Sequence, residues 1–106
     1  MRWLISFALL VFLLPLDMAE QVIDRSGFVP KNGFVPDERT AVAIAEAVLI
    51  PIYGREQILS EEPFTAKLKD GIWTVQGSLP KGWDGGTAIV KLAKRDARII
   101  YVTHSM

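Results

Sequence analysis

The chain has 106 residues, with twelve basic and twelve acidic side chains, one histidine and no cysteine. This length allows one domain at most, and the lack of cysteine excludes disulfides, thiol chemistry and thiolate-bound metal. The balanced charge argues against a nucleic-acid-binding protein driven by bulk charge. The charges are unevenly spread, because residues 20–62 carry four basic and eight acidic side chains, whereas residues 63–106 carry seven and three.

The first nineteen residues have the pattern of a secretory signal peptide. Arg2 gives a positive start, and residues 3–16 form an uncharged, mostly apolar run. This run is too short to cross a bilayer comfortably, because a spanning helix needs about 20 apolar residues. We expect export with cleavage after Ala19, which leaves 106 − 19 = 87 residues. Asp17 stands where a small residue is expected before such a cut, so a retained membrane anchor is the alternative.

Residues 20–36 are expected to form an extended lead-in to the domain. They contain a near repeat, Gly-Phe-Val-Pro, at residues 27–30 and again at residues 33–36. Proline fixes φ near −65° and pushes the preceding residue toward extended geometry, so neither copy is expected to be helical. The phenylalanines of both copies are candidates to dock on the domain.

Residues 37–106 are predicted to form one α+β domain that opens with its main helix. Asp37 is the predicted N-cap, and Glu38 lies favourably in the first turn. The apolar residues that follow keep helical spacing, but apolar side chains also occupy the opposite side. We therefore expect other structure to wrap this helix. Pro51 is expected to kink or end it, and Gly54 to close the segment.

The next segment predicts a β-hairpin with a defined register. Asp70-Gly71 suits a two-residue type I′ turn, which pairs Lys69 with Ile72. The alternation on both sides of the turn agrees with this register. One face of the hairpin then carries the apolar residues Phe64, Ala66, Leu68, Trp73 and Val75.

A second hairpin is predicted from residues 87–94 and 98–103, around a three-residue loop at residues 95–97. This register places Leu92 opposite Ile100. Such a loop favours glycine at its third, left-handed position, so Ala97 is expected to cost about 1 kcal/mol. One helix followed by four antiparallel strands is expected to give a curved sheet around the helix, with a cystatin-like shape.

No pattern in the sequence points to catalysis, to a metal site or to a cofactor. His104, the only histidine, has no evident partner. Glu61 and Glu62 are adjacent and are expected to be solvated loop charges rather than an acid–base pair. The predicted concave face is apolar, which disfavours an enzyme or a small-ligand carrier. We therefore expect a protein that is not an enzyme.

The glycine-rich connection between the hairpins, residues 79–86, is the most distinctive segment. Loops that carry a large aromatic side chain are frequent binding sites, and tryptophan is enriched at interface hot spots. We therefore take Lys81, Trp83 and Asp84 as candidate partner-binding residues. The alternative for Trp83 is that it folds back over the core. The rival binding surface is the basic outer face of the sheet, which carries Lys67, Lys69 and, if its strand aligns, Lys91.

Several short segments between Gly33 and the C-terminus form one ordered pattern. They are residues 34–38, 40–41, 44–48, 51–54, 63–64, 68–73, 79–82, 85–86 and 102–104. In their order and spacing they resemble the YbbC/YhhH family of small bacterial proteins, described as immunity proteins with a nuclear-transport-factor-2-like fold. The resemblance implies a reduced version of that fold. It also implies a cognate protein toxin as partner, encoded nearby, and the signal peptide then predicts neutralisation of that toxin in the periplasm.

Two other functions stay open at this point. One is an exported inhibitory or accessory module that resembles the PepSY domain and acts on a protease or envelope enzyme. The other is a carrier or enzyme that uses the concave face. Neither the oligomeric state nor the binding surface follows from the sequence.

Overall fold

The computed structural model describes residues 27–105, so the predicted signal peptide and the start of the lead-in lie outside the described residues. This part of the chain forms two helices and four strands that pack as one α+β unit. The sequence predicts the main helix and the four strands, but not the short second helix. In chain order they are α1 (Glu38–Tyr53), α2 (Arg55–Ser60), β1 (Thr65–Lys69), β2 (Ile72–Gln76), β3 (Ala88–Ala93) and β4 (Ile99–His104).

Helix α1 begins where the sequence predicts and closes at Gly54, as also predicted. Asp37 has extended backbone geometry and its side chain accepts a hydrogen bond from the Thr40 amide at 2.8 Å. The Thr40 hydroxyl and then the Thr40 amide lower the pKa of Asp37. Pro51 does not end the helix, which continues to Tyr53 before Gly54 caps it with a φ of 96°. The only intrahelical bond that Pro51 removes is to the carbonyl of the exposed Ala47, which water can reach.

Only one side of α1 is fully buried, so the expectation that other structure wraps the helix is wrong. Ala41, Ala45 and Leu49 form a stripe at i, i+4 and i+8 that packs on the sheet. Ile52, on another side, is exposed. The helix lies mainly over β1, β2 and β3, and its other faces range from half-buried to exposed.

The four strands form an antiparallel sheet in the order β1-β2-β3-β4. The first hairpin has the predicted register, with Lys69 opposite Ile72 and Leu68 opposite Trp73. Asp70 and Gly71 both have positive φ, 51° and 77°, as a type I′ turn requires.

The second hairpin differs from the prediction by one residue near its turn. Val90 faces Val102 as expected, but Leu92 faces Ile99 rather than Ile100, because the register shifts between Lys91 and Leu92. The Ala93 amide donates to the Arg98 carbonyl, which leaves four loop residues instead of three. A β-bulge absorbs the extra residue.

The core joins one face of the sheet to α1 and to the end of the lead-in. The buried Trp73 donates its indole N–H to the Val35 carbonyl at 2.8 Å. Val35 is itself fully buried, whereas Phe28 and Phe34 are exposed. The valine of the second Gly-Phe-Val-Pro copy therefore docks on the domain, and the expectation that the phenylalanines do so is wrong.

Ala97 adopts the left-handed conformation that the sequence predicts, with a φ of 63°. We expect Ala97→Gly to stabilise the protein by about 0.5–1 kcal/mol, because glycine removes the left-handed strain but adds entropy to the unfolded chain. Chemical denaturation measures the change. Ala47→Gly, at an exposed position inside α1, is the control and should destabilise by about 1 kcal/mol. Equal loss of stability in both variants would contradict the prediction.

Candidate partner-binding site

The loop between β2 and β3 holds all three candidate residues in solvent. Lys81, Trp83 and Asp84 are exposed, and the Trp83 side chain is 70% exposed. The Trp83 amide donates to the Pro80 carbonyl at 3.1 Å, which closes a turn. Trp83 therefore does not fold back over the core.

Trp83 lies on the rim of a groove between this loop and the short helix α2. The groove has a volume of about 760 Å³. On the loop side it is lined by the apolar residues Leu79, Pro80 and Trp83, and on the helix side by polar residues that include Arg55 and Gln57. The groove is therefore amphipathic across its width.

Glu61 ties both ends of the loop to the domain. Its backbone carbonyl accepts from the Ser78 amide at 2.7 Å, where the loop begins. Its carboxylate Oε1 accepts from the Ala88 amide at 2.7 Å, where the loop has joined β3. A Cβ on Gly77 would come within 2.8 Å of the same Oε1 atom, so only glycine leaves room for this carboxylate. One residue therefore fixes the spacing of the two loop ends.

The other carboxylate oxygen of Glu61 is also satisfied. Its Oε2 accepts from the Gln57 side chain at 3.0 Å and lies 2.9 Å from His104 Nε2. Burial by itself raises the pKa of Glu61, but the hydrogen bonds from Ala88, Gln57 and His104 outweigh it, and the pKa lies below its ordinary value. The ionised form is therefore the one this site stabilises.

This arrangement overturns two expectations from the sequence. Glu61 is only 3% exposed, so it is not a solvated loop charge, whereas its neighbour Glu62 is exposed. His104 has a partner in Glu61, and its ring packs against Tyr53 with ring centres 5.2 Å apart. Because 43 residues separate Glu61 from His104, no local sequence signal predicted their contact.

The basic outer face is separate from the loop. Lys67 and Lys91 both align with Thr74, one on each side of it, so they share the sheet face opposite α1. Lys69 lies on the same face, beside the first turn. That turn and the glycine-rich loop lie at opposite ends of β2, so the structure does not unite the two candidate surfaces.

Within residues 27–105, no helix is long and apolar enough to span a membrane. The same residues contain no group of three or more His, Asp or Glu side chains arranged to hold a metal ion.

A helix packed on an open four-stranded antiparallel sheet, with a groove beside the sheet end, defines an α+β protein consistent with the nuclear-transport-factor-2-like fold. Residues 40–106 match the family model described as NTF2 fold immunity protein. Because the match covers more than half of the chain, the chain belongs to this family of immunity proteins. No curated protein and no solved structure matches it. The narrower resemblance to the YbbC/YhhH family stays a prediction.

Proposed function

We propose that this immunity protein neutralises a cognate protein toxin by binding it directly, with the contact centred on residues 79–86. The observation that supports this most is the exposure of Trp83 on the rim of the groove. An indole ring buries a large apolar area when it enters a partner's pocket, and tryptophan is enriched at hot spots for this reason. The neighbouring groove offers room for a segment of the partner.

Lys81 and Asp84 stand on either side of Trp83 and carry opposite charges. Both are exposed, so their interactions with a partner are screened by solvent. We propose that they form a polar rim that governs specificity and the association rate more than affinity.

We expect Trp83→Ala to weaken toxin binding by about thirty-fold, equivalent to about 2 kcal/mol. For this test, the toxin is first identified by asking whether the product of a neighbouring gene co-purifies with the wild-type chain. Titration calorimetry then measures the affinity. Phe28→Ala is the matched control, because Phe28 is 79% exposed but does not line the groove. It should bind and protect producing cells like the wild type.

The basic outer face is tested by the double variant Lys67→Glu/Lys69→Glu. A contact through this charged face should weaken markedly in high salt, whereas an apolar anchor should not. Wild-type protection by Trp83→Ala together with failure of the charge reversal would refute the loop proposal and assign binding to the sheet. Both variants are first checked for intact folding by circular dichroism.

We also propose that the protein is exported and acts in the periplasm after loss of residues 1–19. The support is the positive start and short apolar run at residues 1–16. We expect protein recovered from the periplasmic fraction to have the mass of residues 20–106. Full-length protein held in the membrane fraction would instead identify residues 1–19 as an anchor.

A further inference from the structure

The two edges of the sheet differ in how well they resist pairing with another strand. In the strand order, β1 and β4 are the edge strands, and within residues 27–105 no strand pairs with the outer side of β4. Strand β1 carries Lys67 and Lys69, the type of residue that blocks edge-to-edge association. Strand β4 reads Ile-Ile-Tyr-Val-Thr-His and contains no lysine, arginine, acidic residue or proline. It therefore lacks the protection that charged residues and proline give, and its bulge, at Ile100, lies toward the turn.

The exposed side chains of β4 add an apolar component to this edge. Ile99, Ile100 and Tyr101 are consecutive and all exposed, with Tyr101 51% exposed. Helix α1 packs on one face of the sheet, mainly over β1, β2 and β3, and reaches β4 through the contact of Tyr53 with His104. It does not pair with the outer edge of β4.

The ladder to β3 determines which backbone groups of β4 point outward. The Ser105 amide donates to the Thr87 carbonyl on the β3 side. Because the direction of these groups alternates along a strand, Thr103 and Tyr101 also bond toward β3. The amide and carbonyl of Val102 and of His104 therefore face outward.

From this geometry we propose that β4 pairs antiparallel with β4 of a second copy, with Val102 opposite Val102 of that copy. A two-fold axis requires one surface to match itself. In this register the amide of Val102 in each copy donates to the carbonyl of Val102 in the other copy, which gives two hydrogen bonds across the axis. Tyr101 then lies opposite Thr103 of the second copy, on the same face of a continuous eight-stranded sheet.

The charges favour a second copy at this edge over the β1 edge. Self-pairing of β1 would bring Lys67 and Lys69 next to the same residues of the second copy. In the β4 pairing, the nearest strand lysine is Lys91 on β3. Three strand spacings, about 14 Å, then separate Lys91 from its equivalent, which exceeds the screening length of about 10 Å at moderate salt.

A proline substitution tests the pairing directly. Proline lacks the amide hydrogen, so Val102→Pro removes an outward donor without taking a bond from the ladder to β3. Leu68→Pro is the matched control on the other edge. Lys69 and Ile72 flank the two-residue turn and bond to each other, so the backbone groups of Lys69 face β2. Because this direction alternates along the strand, the amide of Leu68 faces outward. Tyr101→Glu is a second variant, which places two negative charges near the axis of the dimer. In the monomer the new carboxylate lies opposite Lys91, whose positive charge offsets it.

Sedimentation of the protein recovered from producing cells, between about 5 and 500 µM, measures the association by mass action. We expect a wild-type dimer, and more than about ten-fold weaker dimerisation in Val102→Pro and Tyr101→Glu. Leu68→Pro, folded by circular dichroism, should dimerise like the wild type. A wild type that stays monomeric overturns the proposal. If the β4 amides of that monomer become protected from hydrogen exchange only when the toxin is added, the toxin rather than a second copy covers this edge. A folded Tyr101→Glu that dimerises like the wild type also overturns it.

Discussion

Replacing Trp73 with alanine is expected to lower the free energy of unfolding by about 3–5 kcal/mol. Trp73 is 7% exposed and lies on the inner strand β2, where Leu68 and Leu92 flank it on the same face. Its removal leaves a large cavity between the sheet and α1. It also removes the only indole donor to the buried Val35 carbonyl among the described residues. A domain of this size has a total stability of about 5–15 kcal/mol, so the variant loses a large share of it.

Thermal and chemical denaturation measure this effect, and Trp83→Ala provides the matched control. The same atoms are deleted from an exposed side chain, so stability should change by less than about 0.5 kcal/mol. Trp73→Phe should fall between the two, because it keeps most of the ring volume but leaves the Val35 carbonyl without its donor. If Trp73→Ala unfolds like the wild type, the assignment of Trp73 to the core is refuted.

Replacing Glu61 with alanine is expected to lower the free energy of unfolding by about 3 kcal/mol. The change leaves the buried Ala88 amide without an acceptor, and such a group costs about 1–3 kcal/mol. It also removes hydrogen bonds from Gln57 and His104 to a charged group. Because Glu61 joins Ser78 to Ala88, hydrogen exchange should rise across residues 78–88 before it rises in β1.

The effect of Glu61 should depend on pH in a defined direction. Hydrogen bonds lower the pKa of Glu61 below its ordinary value of 4.5 in the folded protein. The stabilisation by its carboxylate is therefore complete above the pKa of the unfolded chain and is lost as the pH falls through the folded pKa. We expect the stability difference between wild type and Glu61→Ala to shrink as the pH falls below the ordinary value of 4.5 and through the lower pKa of the folded protein.

The neighbouring residue supplies the control for this prediction. Glu62→Ala removes the same side chain from an exposed position, so it should change stability by less than about 0.5 kcal/mol and leave the loop protected from exchange. If Glu61→Ala behaves like Glu62→Ala at neutral pH, then Glu61 does not hold the loop.

Short-range features of the fold could be predicted from the sequence because they depend on neighbouring backbone geometry. Asp70-Gly71 fixes a turn with positive φ at both residues, and the period-two alternation then fixes every pair in the first hairpin. Asp37 caps α1 because its carboxylate reaches an amide three residues away. The left-handed Ala97 was predicted for the same reason, although the bulge beside it was not.

The predicted position of the glycine-rich loop is likewise confirmed. Of the two alternatives that the sequence left open for Trp83, the structure shows the exposed one. The residue that anchors this loop was missed. Glu61 meets Ala88 and His104, 27 and 43 residues further along the chain, only because strand order and sheet twist bring those segments to one end of the sheet. Val35 reaches Trp73 across 38 residues in the same way.

The sequence by itself therefore determined the register of the first hairpin, the helix start and the position of the glycine-rich loop, since each depends on dihedral preferences within a few residues. Only the tertiary structure decided that Glu61 is buried, that His104 has a partner and that α1 lies mainly over β1, β2 and β3. These outcomes depend on which polar groups lose water when distant segments pack. A buried carboxylate is stable only where donors from several elements converge on it, and no stretch of sequence records that convergence.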